Sequence, residues 1–181
     1  SNLFSATRKG FIMEPDGSVG PSFLFASTIN DQKITALRDG GFLIHRLEQN
    51  PDQASQLVLE KYGSNGRFQN KILTITGGST PHVVELPDGR LLLAWEDSAN
   101  QRSGTYAKIV DKNGNNPTQD FLITKTYDTI PRIQDIWIDE EGKLHFLLIG
   151  RINEDQSDAP FTIAFDPLNF EGGEGANRWV G

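Results

Sequence analysis

Short apolar runs separated by turn residues recur along most of the chain. Lys33 to Leu37 and Phe42 to Arg46 flank Asp39-Gly40, and His82 to Leu86 and Leu91 to Trp95 flank Asp88-Gly89. A third pair, Gln134 to Ile138 and Lys143 to Ile149, flanks Glu141-Gly142. Runs this short, rich in Ile, Val, Leu and Phe and bounded by turn formers, predict β-strands. Their near-continuous apolar character predicts strands covered on both faces. A second class of run alternates apolar and polar residues: Gln56 to Tyr62 and Thr105 to Val110, with partners at Gln69 to Ile75 and Asp120 to Ile123. Alternation predicts half-buried strands, and the lack of any sustained helical spacing predicts almost no helix.

The turns are periodic. Asp39 and Asp88 lie 49 residues apart, and Glu141 follows Asp88 by 53. A second series, Asp16-Gly17, Asn65-Gly66 and Asn113-Gly114, has offsets of 49 and 48, with a looser copy at Asp166-Pro167. Asx-Gly pairs are strong hairpin signals, and type I′ turns, with positive φ at both central residues, are expected. Each unit of about 49 residues reads as four antiparallel strands, a to d, with a and b the more buried and c and d the more exposed. That order describes a β-propeller blade, whose inner strands lie between neighbours while the outer strand meets solvent.

The expected fold is therefore all-β, a single propeller-type module over residues 1–181 with about three and a half blades. Residues 1–30 form a half blade, 31–78 and 79–129 full blades, and 130–181 a blade with an irregular tail. Propellers close with roughly four to eight blades. The module is then part of a larger ring, a ring completed by another chain, or an open arc. An open arc would expose an apolar blade face and strand edges, which favours self-association.

Val84-Glu85-Leu86-Pro87-Asp88-Gly89-Arg90-Leu91-Leu92-Leu93-Ala94-Trp95-Glu96-Asp97-Ser98 resembles the "ALxDGGFVVxWxS" element of repeats in large secreted bacterial proteins. Gly104-Thr105-Tyr106-Ala107-Lys108-Ile109-Val110-Asp111-Lys112-Asn113-Gly114 is similar to the "GxYAQxFDxxG" element that follows it. The likeness spans residues 31–124, is partial before residue 31 and is weak after Arg151. Arg46 stands where these repeats have Trp, and the third unit lacks both that Trp and the Asp-Gly pair. Such repeats occur in RTX-type adhesins and other Gram-negative exoproteins. The resemblance implies propeller blades, an extracellular or cell-surface location and a binding or scaffold role. It transfers no catalytic residue.

Composition narrows the partners. A net charge of -7 and a pI near 4.9 argue against nucleic acid and against anionic membranes. No run approaches the roughly 18 apolar residues of a membrane span. The absence of Cys removes disulfides and thiolate metal sites. The opening Ser1-Asn2 reads as a tag remnant, and with no signal peptide in view a longer parent protein is expected.

Candidate chemistry is sparse. Asp111-Lys112-Asn113-Gly114-Asn115 offers oxygens at alternate positions, as a calcium loop does, but Gly114 sits at a turn centre and the hairpin reading is favoured. His45, His82 and His145 fall on different units and out of register, so a joint metal site is not expected. Trp95 and Trp137 are expected in the core. Trp179 lies in the irregular tail as a contact residue or a disordered one. Glu96-Asp97 could form a glycosidase-like acid pair, although a solvated loop is favoured. The b–c loops at 48–55, 97–103 and 152–159 are the expected ligand loops. No Ser/His/Asp order, phosphate loop, HExxH motif or Asp box is present. The expectation is a non-enzymatic module with no catalytic, cofactor or metal residues, taking a protein or carbohydrate ligand. The rival is part of a carbohydrate hydrolase or lyase whose catalytic residues lie elsewhere.

Overall fold

The computed structural model describes residues 6–13, 16–27, 33–48, 54–97, 104–124, 130–151 and 157–165. Among them every regular element is a strand. In chain order these are β1 (Ala6–Met13), β2 (Val19–Ser27), β3 (Lys33–Ala36), β4 (Phe42–Glu48), β5 (Gln56–Tyr62), β6 (Phe68–Thr76), β7 (Gly78–Glu85), β8 (Leu91–Asp97), β9 (Gly104–Val110), β10 (Phe121–Thr124), β11 (Arg132–Ile138), β12 (Leu144–Gly150) and β13 (Ala159–Phe165). They build four antiparallel sheets: β1-β2, β3-β4-β5-β6, β7-β8-β9-β10 and β11-β12-β13, here sheets 1 to 4. Strands within each sheet pair in chain order, as the a-to-d reading requires. Two compact units result, Ser1–Thr76 and Gly77–Gly181.

One turn design closes the described blade hairpins. Gly40 N donates to Leu37 O and Leu37 N to Gly41 O, at 3.1 and 2.9 Å. The same pair of bonds recurs around Gly66, Gly89, Gly114 and Gly142. Each of these glycines has φ between 74° and 86°, while the Asx or Glu before it keeps negative φ. The turns are therefore type I turns closed by a left-handed glycine bulge, not the type I′ turns expected from the Asx-Gly pairs. The Asx side chain caps the turn instead. Its Oδ1 accepts the N–H two residues on, at 3.0 Å in Asp39···Gly41, Asn65···Arg67 and Asp88···Arg90. Glu141-Gly142 keeps the frame with the cap moved to Asp139, whose Oδ1 takes Glu141 N and Lys143 N. The looser copy at Asp166-Pro167 lies outside the described residues.

Burial follows position within a sheet rather than the a-to-d order. Central strands β5 and β8 are almost wholly buried, whereas the a strands β3 and β11 are largely exposed. The expected ranking of a and b above c and d is thus corrected. A middle strand is flanked by strands on both sides, while each edge strand has one flank open.

In the Gly77–Gly181 unit, sheets 3 and 4 stack face to face. Leu86, Leu92, Ala94, Ala107, Ile109 and Ile123 of sheet 3 form one core with Ile133, Leu144, Phe146 and Leu148 of sheet 4. Alternation along β12 puts Leu144, Phe146 and Leu148 inward and His145, Leu147 and Ile149 outward. Two polar clasps hold the start of β11: Ile133 N donates to Glu96 Oε1 at 3.1 Å, and Thr105 Oγ1 to Pro131 O at 2.8 Å.

Candidate functional site

The residues singled out from the sequence take mostly structural places. Asp111 Oδ1 accepts Asn113 N and Asn115 N at 2.8 and 2.9 Å, and the bond from Asn115 N leads in holding its carboxyl below the usual range. That carboxylate serves the turn. His45, His82 and His145 lie on sheets 2, 3 and 4, and no metal-binding group of three His, Asp or Glu exists among the described residues. Glu96 and Asp97 end β8 instead of entering a loop, and as strand neighbours they point to opposite faces. They cannot flank one bond as an acid pair. Trp95 is fully buried and stacks on Tyr106 at 6.3 Å. Trp137 is 38% exposed, which corrects its core assignment. It stacks on His145 at 5.1 Å, and His145 Nε2 lies 2.7 Å from Asp139 Oδ2. Most of the b–c loops, and Trp179, lie outside the described residues.

The structure adds a charged cluster in sheet 2. Arg46 bridges Glu48 and Glu60 at 2.5 Å each, and Tyr62 Oη donates to Glu60 Oε2 at 3.1 Å. Burial, then the Glu60 charge, pushes the Tyr62 phenol up to about 12. On the other face of β5, Lys61 Nζ reaches Asp39 Oδ2 at 3.1 Å, and the lysine side chain is only 7% exposed.

That pair opens on a polar hollow of about 200 Å³ at the turn end of sheet 2. Two turns form it, 37–41 and 63–67, brought side by side because Phe42 pairs with Tyr62. Ser64, Asn65 and Gln69 complete its polar wall. Two glycines keep the space. A β-carbon at residue 41 would lie 2.7 Å from Tyr62 O, and one at residue 63 would lie 3.0 Å from Gln69 Nε2 and 3.1 Å from Asn65 Oδ1. An apolar groove of about 250 Å³ lies nearby in the same unit, lined by Phe11, Ile34, Ala36 and Phe42.

Motif searching along the chain does not find the hollow, yet the repeat carries its signal. The places of Gly41, Lys61 and Gly63 are held in the next unit by Arg90, Ile109 and Asp111. There Arg90 Nε binds its own turn acid, Asp88, at 2.7 Å. Neither family models nor curated proteins give a match to the chain.

Proposed function

We propose that the chain is a non-enzymatic binding or scaffold module of a bacterial secreted or cell-surface protein, built of propeller-type blades. The stacking of sheet 3 on sheet 4 through one apolar core is the observation that supports it. A sheet that buries an apolar face against the sheet after it is a unit suited to repetition, and repetition yields a rigid frame rather than a reaction centre. The charged groups within reach support the same reading, because Asp111, Asp139, Glu96 and Glu60 serve turns, clasps and ion pairs. The outward side of sheet 4, with Trp137, Leu147 and Ile149, is the surface for self-association.

The test is made in the native host. Brief protease treatment of intact cells should release peptides of this chain, and incubation of the purified protein with cell-surface glycans should leave them uncut. Peptides appearing only after lysis would refute the surface location. Glycan cleavage would replace the binding role with a hydrolase or lyase.

A further inference from the structure

We infer that the hollow of sheet 2 binds a vicinal diol of a neutral sugar, an inference that rests on the binding-module reading. The argument starts from Lys61. An ammonium withdrawn from water must be paired and hydrogen-bonded. Lys61 has one such bond among the described residues, to Asp39, and an ammonium carries three donors. Lys61 lines the hollow, which gives its further donors a place to meet a ligand.

The ion pair also sets the ligand's charge. Lys61 and Asp39 sum to zero, so the hollow holds neither a surplus of positive charge for phosphate nor an open carboxylate cluster for calcium. It presents donors and acceptors side by side: the ammonium, the amides of Asn65 and Gln69, the Ser64 hydroxyl and the Asp39 carboxylate. A hydroxyl both donates and accepts, and adjacent hydroxyls can donate to Asp39 while accepting from Lys61 or an amide. The opening is specific to this unit. Gly41 and Gly63 stand where the next repeat carries the side chains of Arg90 and Asp111, and Lys61 supplies a cation where that repeat has Ile109.

The probes are the methyl glycosides of glucose, galactose and mannose, with sodium phosphate as the anionic comparison, titrated against the amide NMR spectrum. At least one glycoside should give saturable shifts at Gly41, Gly63, Ser64 and Asn65. Affinity should be weak, because few groups contact the ligand. Gly63→Ala fills the hollow at a residue without positive φ, and Lys61→Met removes the ammonium at similar length. Each should weaken binding about tenfold or more. Three results would overturn the inference: no saturable shift with any glycoside, shifts from phosphate alone, or glycoside shifts unchanged in both folded variants. None of them touches the surface-exposure test of the binding role, so the two ideas fail separately.

Discussion

Arg46 and Trp95 hold the same place in successive sheets, four residues into β4 and β8, 49 residues apart. Each faces a c-strand partner, Val58 for Arg46 and Tyr106 for Trp95. One position thus carries an ion pair in sheet 2 and a buried indole in sheet 3. In sheet 4 the corresponding residue is Leu148, inside the shared core.

Trp95 and Trp137 should respond differently to truncation. Trp95 is fully buried, so Trp95→Ala should destabilise the chain by about 3–5 kcal/mol. Trp137 is partly exposed and stacks on His145, so Trp137→Ala should cost about 1 kcal/mol. Urea denaturation of both variants measures the contrast. Equal losses would show that burial does not separate the two rings.

Strands and turns were legible in the sequence because an Asx-Gly or Glu-Gly pair marks each described a–b and c–d hairpin of the blades and apolar runs flank it. The type of turn was not, since Asx-Gly serves both a type I′ turn and a type I turn with a glycine bulge. Neither was the fate of Trp137. It stands 53 residues after Val84, which packs against the shared core, yet sheet 4 meets sheet 3 through its opposite face. A repeat pattern says which residues share a face but not which face finds a neighbour. The charged clusters escaped for another reason. Arg46 and Glu60, or Asp39 and Lys61, are distant in sequence and meet only through the pairing of β4 with β5.

The glycine bulge predicts an effect free of packing. Gly89 has φ of 84°, and a β-carbon there would meet nothing within 4 Å. Gly89→Ala should therefore destabilise by about 1–2 kcal/mol through backbone conformation alone. Gly89→Asn should lose less, because Asn tolerates the left-handed region. Equal losses in thermal melts would mean that side-chain contact, not φ, selects glycine here.

Acid should loosen the third blade hairpin. The bond to His145 leads the effects that hold Asp139 below its ordinary value of 3.8, with the backbone N–H groups of Lys143 and Glu141 acting in the same direction. A carboxyl lowered in the fold adds stability above its unfolded pKa, and that stability is lost as pH falls through the folded value. Asp16, Asp88 and Asp111 are shifted the same way. The melting temperature should thus fall as pH drops below about 4. Asp139→Asn should melt lower than wild type at pH 7 and show a smaller drop between pH 7 and pH 3. An unchanged drop would remove Asp139 from the acid response.

The last expectation concerns Arg46. Its guanidinium is desolvated, which alone would lower its pKa, but the hydrogen bonds to Glu60 and then Glu48 outweigh this and raise it. Side-chain exposure is 16% for Arg46 and 12% for Glu60, so removing Arg46 strands the Glu60 carboxylate in a poorly hydrated place, whereas removing the Glu60 charge leaves Arg46 its bond to Glu48. Arg46→Ala should destabilise by about 3 kcal/mol, near the lower end for broken buried pairs because some water still reaches them. Glu60→Gln should cost less, since an amide still accepts a hydrogen bond from Arg46 and from Tyr62 Oη. A double-mutant cycle isolates the coupling. The double variant should be more stable than the summed losses imply, because the Glu60 charge that Arg46→Ala leaves alone is then gone. Strict additivity would mean that Arg46 acts through packing, as Trp95 does, and not through its charge.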